Sequence, residues 1–169
     1  PCRTGHAVIL AAGESKRTRP LTAHRPKPLI ELAGKPLLAR ILDELAGLVA
    51  RATLVVGYKA EQIEAAFGGS YRGIALRYVR QAQMNGTAGA LLAAAPLDEP
   101  FFLLYGDNLV AREDLLGVCG ARYAVAGLLV ADARSFGVLE LAGGEVRGII
   151  EKPANPPPDA LANPGIYHF

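Results

Sequence analysis

Between Gly13 and Pro28 lie Lys16, Arg17, Arg19, Arg25 and Lys27, interleaved with Ser15, Thr18 and Thr22. This composition suits phosphate. An arginine offers a planar fork to phosphate oxygens and a lysine a compact charge. A glycine lets backbone N–H groups approach and cradle an anion. Arg17 and Lys27 are therefore candidate phosphate contacts, with Gly13 at the turn. From residue 13 to residue 35 there are six basic and two acidic residues, whereas the rest of the chain holds twelve basic and fourteen acidic ones. The positive charge is local, which points to an anionic small ligand. The net charge of +2 is too small to argue for nucleic acid. A second candidate is Asp107, which follows the apolar run 101–105 and Gly106. A carboxylate at a strand end can ligate Mg²⁺ beside phosphates, and it can equally cap a turn or helix. Neither the Walker A pattern nor the G-x-G-x-x-G fingerprint is completed.

These side chains need a scaffold. The continuous apolar run over 7–12, ended by Gly13, reads as a strand buried on both faces. Residues 13–28 have no apolar periodicity and read as a long functional loop. Pro36 suits the first turn of a helix, and apolar residues then recur at helical spacing over 37–49. Strands are expected at 52–57, 74–79 and 101–105, with helices at 60–67 and 87–95. Strands alternating with helices predict a parallel sheet with right-handed crossovers. Beyond Arg122, the stretches 123–130, 136–141 and 145–151 read as strands without intervening helices. Ala142-Gly143-Gly144 is a turn, so the last two form a hairpin. Residues 153–158 are a proline-rich loop, and 165–169 begin another apolar run. In such a sheet, ligands bind beyond the C-terminal strand ends, where the basic loop begins.

The chain has 169 residues, 51% apolar and 20% charged, which fits one folded domain rather than disorder. No apolar run approaches the ~20 residues that span a bilayer, so no membrane partner is expected. Cys2 and Cys119 are too few for a disulfide framework or a zinc site, and a reduced cytoplasmic setting is expected. His6, His24 and His168 lack metal-ligand spacing and read as structural or surface groups. There is no internal repeat.

Several ordered stretches carry a family resemblance. Ile9-Leu10-Ala11-Ala12-Gly13, Arg17, Arg19-Pro20-Leu21-Thr22, Pro26-Lys27-Pro28-Leu29 and Gly34-Lys35-Pro36-Leu37-Leu38 resemble the sugar-1-phosphate nucleotidylyltransferases. So do Gly86-Thr87-Ala88, Tyr105-Gly106-Asp107, Phe136-Gly137-Val138, Ile150-Glu151-Lys152-Pro153 and Asn163-Pro164-Gly165-Ile166-Tyr167. The likeness runs from residue 6 to residue 169 and is nearest the branch with uridylyl- or thymidylyltransferase activity. It implies an α/β, Rossmann-like, mostly parallel sheet with helices on both faces and added β-hairpin elements. The implied reaction joins a nucleoside triphosphate, UTP or dTTP, to a sugar-1-phosphate and releases pyrophosphate, with Mg²⁺ as cofactor. Such chemistry rests on positioning and charge neutralisation.

The resemblance also implies residue roles. Arg17 holds the leaving phosphates, and Lys27 neutralises charge at the reacting centre. Ala11, Ala12, Gly13, Gln81, Gly86 and Thr87 bind the nucleotide, with the Gln81 amide and the Gly86-Thr87 backbone reading a pyrimidine edge. A purine is expected to crowd Met84 and Gly86. Asp107 ligates the metal. Glu151 takes the sugar hydroxyls and Lys152 the sugar phosphate, in a pocket that Gly137 and Asn163 also line.

The chain departs from the family's Gly-x-Gly-[Ser/Thr]-Arg-[Leu/Met] loop: Ser15 replaces the second glycine, Lys16 the hydroxyl residue and Thr18 the hydrophobe. The resemblance further implies a second metal-binding aspartate and closing helices after Phe169. Residues 1–169 are thus expected to be a single nucleotidyltransferase domain truncated at its C-terminal end. Homo-oligomerisation and a following acyltransferase domain stay open. The rival class is a non-catalytic sugar-nucleotide-binding or regulatory domain of the same fold.

Overall fold

The run after Gly5 becomes β1 (His6–Ala11), with Ala7, Ile9 and Ala11 buried on one face and Val8 on the other. Both faces being covered explains why the sequence is apolar throughout rather than alternating. The computed structural model describes residues 4–81 and 86–169. After β1 the basic loop carries short 3₁₀ turns at Lys16–Thr18 and Lys27–Leu29. A small hairpin follows, β2 (Glu31–Leu32) and β3 (Lys35–Pro36). Then come α1 (Leu37–Leu45), β4 (Arg51–Val56), α2 (Ala60–Phe67), β5 (Ser70–Tyr71), β6 (Ile74–Arg80), α3 (Gly86–Ala93), β7 (Phe101–Tyr105) and α4 (Arg112–Val118). The chain continues through β8 (Ala124–Val125), β9 (Leu128–Leu129), β10 (Gly137–Ala142), β11 (Glu145–Glu151), β12 (Leu161–Ala162) and β13 (Ile166–His168).

The main sheet has the order β5-β6-β4-β1-β7-β13-β8. Its centre, β6, β4, β1 and β7, is parallel, and the flanking β5, β13 and β8 run antiparallel to their neighbours. Helices α1, α2 and α4 cover one face, packing Leu38, Ile41, Leu42, Ile63 and Leu115 onto Ile9, Leu54 and Leu104. The other face buries Ala90 and Ala94 from α3 and its C-terminal end against Val8, Val55 and Leu103. This is the expected α/β architecture. A second sheet, β11-β10-β12-β9, is wholly antiparallel. Its hairpin turns through Gly143 and Gly144, both at positive φ, where the sequence placed it.

The structure corrects the sequence expectations at several elements. The long strand read over 123–130 is two short strands in different sheets: β8 pairs with β13 and β9 with β12. The chain crosses between sheets at Gly127, where a Cβ would come within 3.0 Å of Leu161. The helix read over 37–49 ends at Leu45, because Gly47 takes φ 76° and Leu48 turns back onto the Leu45 carbonyl. Pro36 stands just before that helix rather than inside its first turn. Helix α4 was not anticipated, although Leu115 and Val118 at helical spacing and the Asp114 carboxylate accepting from Ala111 N mark it.

Candidate active site

The parallel strands end side by side, with Leu10 opposite both Val55 and Tyr105. Gly106 follows β7 so closely that a Cβ there would sit 2.9 Å from the Leu10 carbonyl. Any larger residue would push Asp107 away from β1. A cavity of about 330 Å³ opens at this edge. Its lining brings together Ala11, Ala12, Gly13, Lys27, Gln81, Gly86, Thr87 and Asp107 from the sequence-derived set. Leu10, Ser15, Pro28, Ala90, Tyr105 and Gly106 line it as well. Lys27 Nζ donates to Asp107 Oδ2 at 2.9 Å across 80 residues of sequence. Both are partly exposed, at 24% and 45% of their side chains, so the pair is open to solvent and to exchange of partners. Gln81 Nε2 donates to the Gly86 carbonyl at 3.3 Å, tying the strand-end amide to the start of α3. The expected crowding by Met84 falls outside the described residues.

Arg17 is placed differently. It lies on the 3₁₀ turn Lys16–Thr18, exposed, and is not part of the cavity lining. Its neighbours Lys16 and Arg19 both pair with Glu14, at 3.3 and 2.6 Å. The loop is fastened from beneath. Tyr58 OH donates to the carbonyls of Thr22 and Ala23 at 3.2 and 2.9 Å, and Gln62 Nε2 to that of His24 at 3.1 Å. Sequence reasoning missed these ties, because carbonyl acceptors 35 to 38 residues upstream leave no local signal.

The second group of candidates gathers on the small sheet. Gly137 is in register with Glu151, and a Cβ on Gly137 would lie 3.2 Å from Glu151 Oε2 and 3.9 Å from Asn163 Cβ. Asn163 N donates to the Gly137 carbonyl at 2.8 Å. Lys152 pairs with Glu151 at 2.8 Å in an exposed ion pair. So Gly137, Glu151, Lys152 and Asn163 form one cluster, none of which lines the strand-end cavity.

A hydrogen-bonded strip joins the two groups. Asn163 Nδ2 donates to Tyr167 OH at 2.6 Å, its Oδ1 accepts from Gly165 N at 2.9 Å, and the Tyr167 and Tyr105 hydroxyls meet at 3.4 Å. Asn108 Nδ2 donates to the Pro164 carbonyl at 2.6 Å. Burial, then the Tyr105 contact, pushes the Tyr167 phenol well above its ordinary range, so it stays neutral. Away from the site, Lys35, Arg72 and Tyr71 converge on Asp43. Burial raises that carboxyl, but the three hydrogen bonds outweigh it and hold it below the usual carboxylate range. His6 and His168 are structural, as expected: each is at least nine-tenths buried and bonded to a threonine.

The nucleotidyl transferase family model matches residues 6–169. The chain is 37% identical over 164 residues to the bifunctional protein GlmU of Methanocaldococcus jannaschii, covering 96% of this chain and 39% of that one. It is 37% identical over 173 residues to the UTP–glucose-1-phosphate uridylyltransferase AglF of Haloferax volcanii, covering 96% and 71%. With the glucose-1-phosphate thymidylyltransferase of Streptomyces griseus the identity is 39% over 174 residues, covering 96% and 48%. The chain thus spans less than half the length of two of these three relatives. Among solved structures, a UDP-glucose pyrophosphorylase complexed with UDP-glucose matches with a TM-score of 0.81 and 26% identity, over 98% of this chain and 76% of that one. The fold, the order of motifs and these likenesses agree, and the chain belongs to the sugar-1-phosphate nucleotidylyltransferases of the nucleotidyl transferase family.

Proposed function

We propose that the protein transfers a nucleotidyl group from UTP or dTTP to a sugar-1-phosphate and releases pyrophosphate. The observation that carries this reading is the Lys27–Asp107 pair at 2.9 Å on the lip of the strand-end cavity. A cation and an anion are held together where a triphosphate and its metal would meet. The named relatives are transferases and one bifunctional protein; nothing among them favours a non-catalytic regulatory module.

A sugar-phosphate oxygen attacks the α-phosphorus, forming a new P–O bond as the bond to the pyrophosphate oxygen breaks. The electron pair leaves with pyrophosphate, and no protein nucleophile is needed. Lys27 turns from Asp107 to the phosphates and neutralises charge at the reacting centre. Arg17 reaches from its exposed turn to the β- and γ-phosphates. Gln81 and the Gly86-Thr87 backbone hold the pyrimidine edge against Ala11, Ala12 and Gly13. Glu151 accepts from sugar hydroxyls, and Lys152 holds the sugar phosphate, beside Gly137 and the already bonded Asn163 amide.

Mg²⁺ fits the residues present. Among the described residues no cluster of three or more His, Cys, Asp or Glu could cage a metal. A lone, half-exposed Asp107 suits an ion that uses one or two carboxylates and completes its shell with phosphate and water. When bound there, Mg²⁺ supplies charge neutralisation of the phosphates. A cytoplasmic setting accords with a pool of sugar phosphates; among the described residues no helix is long and apolar enough to cross a membrane.

The test is pyrophosphate release with UTP, dTTP, ATP and GTP against glucose-1-phosphate and N-acetylglucosamine-1-phosphate. Turnover with a pyrimidine triphosphate and one sugar phosphate supports the reading. Absence of turnover with all eight pairs overturns it.

A further inference from the structure

Ser15 stands where the family places a glycine, and it adopts the left-handed conformation a glycine would take, φ 52° and ψ 49°. Residues with a Cβ disfavour that region, so something must hold Ser15 there. Its carbonyl accepts three hydrogen bonds: from Thr18 N at 3.1 Å, Thr18 Oγ1 at 2.8 Å and Thr22 Oγ1 at 2.9 Å. Thr18 Oγ1 also reaches Thr22 Oγ1 at 3.3 Å. Thr22 is only 1% exposed, and Tyr58 OH bonds its carbonyl, so the clamp rests on the scaffold. Thr18 is itself a departure from the family's hydrophobe, and it pairs with the departure at Ser15.

The peptide unit is planar and trans, so fixing the Ser15 carbonyl on the Thr18–Thr22 side aims the Lys16 N–H the opposite way. A left-handed residue followed by the right-handed turn Lys16–Thr18 directs successive N–H groups to one side, a concavity suited to anions. Ser15 lines the cavity. We propose that Thr18 and Thr22 are positioning residues: their hydroxyls hold Ser15 left-handed and so preform the backbone turn that receives the pyrophosphate leaving group. This inference rests on the proposed function. It assigns the substitution of the loop glycine to a specific compensation rather than to lost activity.

The probe is inorganic pyrophosphate, titrated calorimetrically into the full chain and into Thr18→Val, Thr18→Ser, Ser15→Gly and the Ser15→Gly/Thr18→Val double variant, with steady-state kinetics alongside. Loss of one such hydrogen bond predicts about tenfold weaker pyrophosphate binding by Thr18→Val. The triphosphate KM should rise in step and the sugar-1-phosphate KM stay put. Thr18→Ser keeps the hydroxyl and should restore binding. Ser15→Gly should recover part of the loss in the double variant, because glycine adopts the left-handed conformation freely. Thr18→Ala carries the same expectation if Thr18→Val does not fold. Unchanged pyrophosphate binding in Thr18→Val overturns the clamp, as does an equal rise in both KM values without recovery by Ser15→Gly. A wild-type chain that binds neither pyrophosphate nor nucleotide instead overturns the functional reading beneath it.

Discussion

The two ends of the candidate site are built differently. At the end proposed for the nucleotide, residues of β1, β7, α3 and the basic loop converge on one cavity of about 330 Å³, where Lys27 and Asp107 neutralise each other. At the end proposed for the sugar phosphate, Glu151 and Lys152 stand on the edge of a four-stranded sheet, 70% and 46% exposed, and pair with each other. The first rests on a sheet buried on both faces. The second rests on a sheet whose Leu129, Leu141, Val146 and Ile149 are each more than 40% exposed. The end proposed for the nucleotide is therefore preorganised by packing, whereas the end proposed for the sugar phosphate presents an exposed ion pair on a thinner sheet.

Breaking the nucleotide end should have the largest effect. Lys27→Ala is expected to lower turnover by roughly 10²–10³-fold, the usual loss when one preorganised charge leaves a developing anion. Arg17→Ala should act through the triphosphate KM as well as turnover. Stopped-time pyrophosphate assays with thermal melts check both; near-normal kcat/KM in both variants would remove the basic loop from the site. Asp107→Asn should abolish Mg²⁺-dependent activity with little change in melting temperature. Unfolding of that variant would instead make Asp107 a turn cap.

A smaller effect is expected at the sugar end. Glu151→Gln should raise the sugar-1-phosphate KM about tenfold, on the scale of one hydrogen bond to a charged group, and leave the triphosphate KM unaltered. A rise in both would mean that the two ends are not separable. Competition should sharpen the nucleotide end further, with UTP or dTTP displacing a fluorescent uridine nucleotide more tightly than ATP; the reverse order would unseat Gln81 and Gly86 as base readers.

The smallest effect lies far from the cavity. Burial, then Arg51 and Arg77, lowers the His6 pKa in the folded chain. Its neutral form is the native one, so the stability it contributes is present above the unfolded value near 6.5 and is lost as pH falls through the folded value. Melting curves between pH 7.5 and 5 should show a loss in the wild type that is reduced in His6→Gln. Equal slopes in the two proteins would contradict the role assigned to His6 burial.

The sequence displayed the residues of the strand-end cavity well. A run buried on both faces, a glycine at its end and clustered cations are local signals, and Asp107 directly follows its strand. The pairing of Lys27 with Asp107 was not legible, since it joins loops 80 residues apart. Nor were the Tyr58 ties to loop carbonyls, because a backbone acceptor carries no residue identity. The strand over 123–130 was misread for a related reason: apolar residues stand on both sides of Gly127, and the division between two sheets is set by distant partners, β13 for Ala124–Val125 and β12 for Leu128–Leu129. Arg17 was legible as a cation on a loop, but not its exposed place on a 3₁₀ turn outside the cavity lining.

The most direct test of the account follows the α-phosphorus. UTP labelled with ³²P at that position, incubated with glucose-1-phosphate, Mg²⁺ and the protein, should place the label in a nucleotide sugar and leave the released pyrophosphate unlabelled. Label recovered as UMP or UDP, with no sugar conjugate at any sugar-phosphate concentration, would contradict nucleotidyl transfer at this site.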